Sequence, residues 1–257
     1  MPVRFKVLQF NMQFGQPWSD TDPDNAPVDL DQTIAEIRSH DADIVLLQEV
    51  ERAQPGGEQL PVPPNFTRMT EALAGYDGFF AYPRRDPREL PFGIGLAIFS
   101  RTPLTDRQRV GLPSPPVEFD FYGERKTPTD RLLISARTEI GGRRLTVFNT
   151  HLLALFMLQS SSEVHSEQRQ RVVDTVQRNP GPTLIGGDFN VSRHESLVRQ
   201  FADAGFRTVQ TTEVTWRRRP YVLDHIFHND SFRCVSHYVR PTPASDHHVL
   251  AAEFEFV

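Results

Sequence analysis

Five short apolar runs in this chain end in groups able to do chemistry: Phe10-Asn11, Gln48-Glu49, Asn149-Thr150-His151, Gly186-Gly187-Asp188-Phe189-Asn190 and Ser245-Asp246-His247. An apolar run ending in carboxylate, amide or imidazole is how a sheet carries reactive groups at its strand tips. Asn, Glu, Asp and His without a thiolate suit a hard divalent cation such as Mg²⁺ or Mn²⁺ beside a general base. The chain therefore reads as a metal-assisted hydrolase.

Hydrolysis of a phosphoester needs charge neutralisation at the phosphoryl oxygens, an activated water and a stabilised leaving oxygen. Glu49 and Asp246 are carboxylates suited to an octahedral cation, with Asn11 as a neutral oxygen ligand or water-mediated contact. His247 is the natural base, and Asp224 in Leu223-Asp224-His225-Ile226 stands at a strand from which it could fix the imidazole tautomer. Asp188 can orient or deprotonate the water, and Asn190 can donate its amide to a phosphoryl oxygen. Gly186 and Gly187 let the backbone approach closely. Arg131, at the mouth of a strand, could steady a phosphate by bidentate contact or form a surface ion pair.

The elements that must position these groups follow from periodicity and turn residues. Strands are expected at Val3–Phe10, Ile44–Leu47, Phe79–Tyr82, Gly93–Phe99 and Thr183–Ile185, then at Leu223–Phe227, Phe232–Val239 and His248–Phe256. Two strand-like runs between Leu132 and Phe148 flank Gly141-Gly142, a pair suited to a tight hairpin. Helices are expected at Asp29–His40, Phe66–Ala74, Glu163–Val176 and Glu195–Ala204. Interleaved strands and helices with an explicit hairpin predict a mixed sheet system within a single domain over residues 1–257. Neither a repeat nor a dividing linker is visible in the sequence.

These motifs in this order resemble the endonuclease/exonuclease/phosphatase superfamily, which includes deoxyribonuclease I, exonuclease III, bacterial sphingomyelinase and inositol polyphosphate 5-phosphatases. The resemblance rests on Asn11, Leu47-Gln48-Glu49-Val50, Phe99-Ser100-Arg101-Thr102-Pro103, Asn149-Thr150-His151-Leu152, Gly187-Asp188-Phe189-Asn190, Leu223-Asp224-His225-Ile226-Phe227 and Ser245-Asp246-His247, and spans nearly the whole chain. It implies an α/β four-layer sandwich of two mixed β-sheets flanked by helices, with the site at one edge of both sheets. It implies Glu49 as the principal metal ligand with Asn11 and Asp246 nearby. Asp188, Asn190, Asp224 and His247 carry over as the water-activating and phosphate-holding set, and His151 as a second imidazole facing the phosphate or leaving group. The chain departs from exonuclease III-like enzymes, where a tyrosine followed by Pro-Asn stands in place of His151-Leu152-Leu153-Ala154. It also lacks, in Gly93-Ile94-Gly95-Leu96, the glutamate that deoxyribonuclease I-like enzymes pair with their counterpart of His151.

With 28 basic and 33 acidic residues the net charge is -5, so no overall field draws in nucleic acid. Local basic patches stand at Arg84, Arg85 and Arg88 and at Arg217 to Arg219. The substrate is expected to be a phosphodiester, with nucleic acid, a phospholipid headgroup and a small phosphate ester all open. A catalytically degenerate binding module is the non-enzymatic alternative, against which the intact acids and His247 argue. Leu152 to Leu158 reads as core or packing beneath the following helix, and Val117 to Tyr122 as an aromatic loop. Trp18, Trp216 and the lone Cys234 signal only packing, and His194, His225 and His248 read as surface or supporting groups. The start lacks the apolar run of a signal peptide, and no apolar run approaches the roughly 18 residues of a spanning helix. Cytoplasmic location without membrane association is expected, and the oligomeric state stays open.

Overall fold

The computed structural model describes residues 3–257; Met1 and Pro2 lie outside them. In chain order its regular elements are β1 (Arg4–Asn11), α1 (Leu30–Ser39), β2 (Ile44–Arg52), α2 (Pro64–Ala72), β3 (Asp77–Ala81), β4 (Gly93–Ser100), β5 (Thr105–Leu112), β6 (Phe119–Phe121) and β7 (Glu124–Lys126). They continue as β8 (Arg131–Ile140), β9 (Arg143–His151), α3 (Glu167–Gln177), β10 (Thr183–Asp188), α4 (His194–Asp203), β11 (Phe206–Thr208), β12 (Asp224–Asn229), β13 (Phe232–Arg240) and β14 (Val249–Phe256).

Two six-stranded mixed sheets form, one in the order β13-β14-β1-β2-β4-β3 and the other in the order β11-β12-β10-β9-β8-β5. Residue alternation explains the layering. Val7, Ile44 and Leu46 from the first sheet meet Ile134, Val147, Leu184 and Ile226 from the second in an inter-sheet core. Their neighbours Leu8, Val45 and Leu47 face the other way, onto Ile34 and Ile37 of α1 and Met69 of α2. On the far side Leu133, Phe148, Ile185 and Phe227 pack on Val172, Val173 and Val176 of α3 and Leu197 and Phe201 of α4. The result is the expected four-layer sandwich. Asp29 caps α1 by accepting from the Gln32 amide.

Each sheet contains one parallel pair, β1 with β2 and β9 with β10, and each pair is linked by a crossover helix. The carboxyl ends of all four strands therefore lie on a common edge. Strands β14 and β12 run antiparallel to β1 and β10, so their amino-terminal ends reach the same edge. Asn11, Glu49, His151, Asp188, Asp224 and the Asp246-His247 segment thereby converge from sequence positions more than 230 residues apart.

Several segments differ from their sequence reading, among them β2, which runs on to Arg52, and the unforeseen β11. Residues 161–165 form a turn, with the His165 amide on the Ser161 carbonyl, and α3 begins only at Glu167. The aromatic segment before Gly123 forms β6 and pairs with β7 as a small hairpin. Strand β5 has no counterpart in the expected elements, because at the edge of its sheet it presents Thr105 to Arg109 to solvent and shows no apolar alternation.

Candidate active site

The first sheet supplies Asn11 and Glu49. A bulge between Gln48 and Glu51 interrupts the pairing of β2 with β4, and Glu49 adopts φ +52° there. A left-handed glutamate costs energy and is retained where its direction matters. Gly93 across the bulge makes room for it: a Cβ at that position would lie 2.2 Å from Glu49 Oε2.

The Asn11 side chain joins the two sheets. Its Nδ2 donates to Glu49 Oε1 at 3.1 Å and to Asp188 Oδ2 at 3.0 Å, while its Oδ1 accepts from the Gln13 amide. Asp188 lies opposite His151 in the parallel register and opposite Asp224 in the antiparallel one. Gly187 enables that close pairing, since a Cβ there would sit 2.4 Å from the Thr150 carbonyl oxygen. Two imidazoles flank the Asp188 carboxylate: Oδ2 is 3.5 Å from His151 Nε2 and 3.6 Å from His247 Nε2. His151 Nε2 also lies 3.9 Å from Glu49 Oε1.

His247 Nδ1 meets Asp224 Oδ2 at 2.8 Å, and Gln9 Nε2 donates to Asp224 Oδ1 at 2.6 Å. The Asp224 amide and that of Leu223 both donate to Thr215 Oγ1, which fixes the start of β12. Ser245 Oγ donates to the Asn11 carbonyl and accepts from the His247 amide, tying the last motif to the first.

Burial and then the nearby Asp246 charge push Glu49 up to about 7. Burial likewise raises Asp188 above the usual carboxylate range, against the opposing pull of His247. Burial disfavours a charge on His247, but the Asp224 and Asp188 carboxylates outweigh it and raise the imidazolium. His151 falls well below its usual value through burial, helped by the charges of Arg131 and His247. One imidazole is thus set to hold a proton and the other to remain neutral, an arrangement suited to acid and base roles.

Residues 8–247 match the sequence profile of the Endonuclease/Exonuclease/phosphatase family. The chain belongs to this family. A UPF0294 protein of Yersinia pseudotuberculosis is 32% identical over 119 residues, a match covering 44% of this chain and 44% of that protein. An endonuclease/exonuclease/phosphatase structure from Beutenbergia cavernae superposes with a TM-score of 0.72 at 21% identity, covering 99% of this chain and 72% of that one. The catalytic domain of human Nocturnin, determined with a bound sulfate, gives 0.65 at 19% identity, covering 100% of this chain and 96% of that one. At these identities the superpositions show the deoxyribonuclease I-like fold. Family members are phosphoester hydrolases, and divalent-metal dependence is general among them.

The donor set of this endonuclease/exonuclease/phosphatase chain fits a hard cation. Glu49 and Asp246 are close enough for one charge to perturb the other, and the neutral Asn11 stands between Glu49 and Asp188. Carboxylates crowded in this way await a positive charge. Asp188, Asp224 and His247 also lie close enough together to surround an ion. Asp224, however, already has Gln9 on one oxygen and His247 on the other, which suits a proton-handling dyad better than a chelate.

Several residues sit otherwise than their sequence reading suggests. Asn190 Nδ2 donates to the Leu152 carbonyl at 2.9 Å, and the Asn190 amide donates to Asp188 Oδ1, so the side chain braces the loop after His151. Its φ of +50° fits Asn in a tight turn. Arg131 lies at the rim and its charge acts on Glu49 and His151, but its NH1 is also 3.5 Å from Glu89 Oε1. Of the two places read for His225, surface or supporting, the structure removes the first, since it is fully buried with Nδ1 3.1 Å from Thr208 Oγ1 and its ring stacked on Phe227. Within Leu152–Leu158, Leu152, Leu153 and Leu155 are core while Met157 is 59% exposed.

Sequence reasoning took Trp216 for packing and Arg218 for part of a basic patch, and missed that both bind Asp246. Trp216 Nε1 and Arg218 Nε both donate to Asp246 Oδ2, at 3.1 and 2.8 Å. Trp216 forms a bridge with His247. Their place beside the site follows from the loop preceding β12, whose path no local pattern announces.

Proposed function

We propose that the protein is a Mg²⁺- or Mn²⁺-dependent phosphodiesterase that hydrolyses a P–O bond by direct attack of water. The observation carrying this reading is the Asn11 junction, where Glu49 and Asp188 share one amide and both imidazoles lie within 3.9 Å of one of these two carboxylates. Glu49 and Asp246 would hold the cation, which supplies charge neutralisation at the phosphoryl oxygens when bound. Asn11, read in the sequence as a ligand, would instead steady Glu49 and Asp188, because its Nδ2 faces both and its Oδ1 is taken by the Gln13 amide. Asp188 orients the attacking water, with His247 beside it held in place by the Asp224 carboxylate on its Nδ1. His151, neutral and facing the two carboxylates, is placed to contact the phosphate or the leaving oxygen. Arg131 can add a rim contact to a phosphoryl oxygen.

A small phosphodiester is favoured over a polyanion or a lipid surface. Arg85 pairs with Glu58, Arg88 with Asp86, and Arg218 with Asp24 and Asp246, so much of the basic character flagged in the sequence is neutralised locally. The segment after His151 buries most of its leucines rather than presenting an apolar wall. Among the described residues no helix is long and apolar enough to cross a membrane.

The test is a substrate panel: bis-p-nitrophenyl phosphate, plasmid DNA, single-stranded RNA, sphingomyelin and inositol phosphates, each with Mg²⁺ or Mn²⁺ and with chelator. Metal-dependent turnover of the small diester, little affected between 50 and 200 mM salt, supports the reading. Turnover confined to DNA or RNA, with a steep loss of affinity over that range, would assign a nuclease instead. No metal-dependent hydrolysis of any phosphate ester would overturn it.

A further inference from the structure

The Asp246 carboxylate is held more firmly than its place beside a cation site requires. Its Oδ2 accepts from Trp216 Nε1 at 3.1 Å and from Arg218 Nε at 2.8 Å. Its main chain is pinned as well, the amide donating to Gln13 Oε1 and the carbonyl accepting from the Arg217 amide. Among the described residues Oδ1 has no protein donor, which leaves it open to a cation.

Both donors are themselves anchored from behind. Arg218 NH1 donates to Asp24 Oδ1 at 2.7 Å and NH2 to the Pro23 carbonyl at 3.4 Å, and the guanidinium carbon lies 5.6 Å from the centre of the Trp18 ring. The loop after β1 thus grips the outer side of the guanidinium while Asp246 takes its inner side. The Trp216 ring rests edge-on against Phe156 at 5.7 Å and is stacked near Tyr221 at 6.3 Å. The Arg218 Nε–H and the Trp216 indole N–H are directional donors anchored at their far sides, so the two of them on Oδ2 fix the direction of the carboxylate as well as its position.

We infer that Arg218 and Trp216 are positioning residues that hold Asp246 in the orientation needed to ligate the divalent cation. The inference rests on the proposed metal-dependent reading. Its sign is not trivial, because Arg218 also places a positive charge near the cation. Were charge its main effect, removing it would tighten metal binding; if orientation dominates, removal must weaken it. Groups that orient a metal ligand typically change affinity by about 10- to 100-fold when lost.

Calorimetric titration of Mn²⁺ into the full chain separates these effects, using the parent, Glu49→Gln, Arg218→Ala, Arg218→Lys and Trp216→Phe. The Phe variant keeps the aromatic packing and the net charge while deleting the N–H. The expected result is a Kd raised about tenfold in Arg218→Ala and severalfold in Trp216→Phe, with Arg218→Lys between Ala and parent. A Kd unchanged or tighter in either Arg218→Ala or Trp216→Phe, with the parent binding and Glu49→Gln impaired, overturns the inference and leaves the metal-dependent reading standing. A parent that binds no Mn²⁺ overturns both. Melting curves of the metal-free variants exclude a trivial folding loss, and Trp216→Phe and Arg218→Lys keep the test decisive if Arg218→Ala is unstable.

Discussion

Glu49 is asked to carry negative charge where burial and Asp246 both oppose it. With a folded-state pKa of about 7 against an ordinary 4.5, the metal-free protein binds more protons folded than unfolded between those values. Its contribution to stability is therefore fully present below about 4.5 and lost as pH rises through 7. The side chain retains 18% exposure, which tempers the effect to about 2 kcal/mol at pH 8. Glu49→Gln, an isostere of the neutral acid, should melt with the parent at pH 5 and about 4 to 8 °C above it at pH 8 without metal. Saturating Mn²⁺ should reverse the order at pH 8, because only the parent binds it well. Equal melting of both metal-free proteins at pH 8 would show that Glu49 is not strained by its charge.

Asp224 and His247 share a 2.8 Å contact and should act as one unit. His247→Ala is expected to lower kcat by about 10²- to 10⁴-fold, and adding Asp224→Asn should slow it scarcely further. Independent, multiplicative losses in the double-mutant cycle would dissolve the dyad. At this scale the sequence identified the residue types but could not show their contacts. Asp224 and His247 are separated by the rest of β12, by β13 in the other sheet and by a loop, and the Asp224 carboxylate is oriented by Gln9 from β1.

At the level of elements, the site depends on irregularities more than on the regular strands. The bulge in β2 turns Glu49 toward the second sheet, and β4 accommodates it only because residue 93 has no side chain. Gly93→Ala would set a methyl group 2.2 Å from Glu49 Oε2 and 2.3 Å from its Cβ, too close for any adjustment confined to the carboxylate. Mn²⁺ affinity should fall at least tenfold in that variant, with a melting temperature lower by several degrees. Retained affinity would mean that the bulge can shift without cost. The elements themselves were largely legible: β1, β4, α1, α4 and the β8–β9 hairpin follow apolar periodicity and turn residues to within a residue or two. What escaped were elements stabilised by neighbours rather than by their own pattern, such as solvent-facing β5 and the three-residue β11. The bulge escaped for a related reason, since period-two alternation locates a strand without revealing where its pairing slips.

At the scale of the molecule, the proposed chemistry is divided between the sheets. The first sheet and the loop entering β14 carry the proposed metal ligands Glu49 and Asp246 together with Asn11, while the second carries His151, Asp188 and Asp224. Alignment of the two halves cannot come from the inter-sheet core alone, because apolar packing is non-directional. A buried polar seam supplies direction. Asn149 of β9 donates through Nδ2 to the Leu47 and Ala97 carbonyls, both at 2.9 Å, and its Oδ1 accepts from Gln48 Nε2 at 2.6 Å. This asparagine belongs to one of the clusters that pointed to chemistry, yet its bonds are spent on joining β9 to β2 and β4. Asn149→Ala would leave two carbonyls and one amide without that partner inside the sandwich, which should destabilise the protein by about 2 to 4 kcal/mol. Because the proposed metal ligands lie on the first sheet and its following loop, Mn²⁺ affinity measured well below the melting temperature should stay within about threefold of the parent. Turnover at saturating Mn²⁺ should nevertheless fall by at least tenfold, since a shift of about 1 Å between halves is enough to spoil the attack geometry. Unchanged turnover in the folded variant would show that Asn11 and the His247–Asp224 contact hold the two halves in register without the seam.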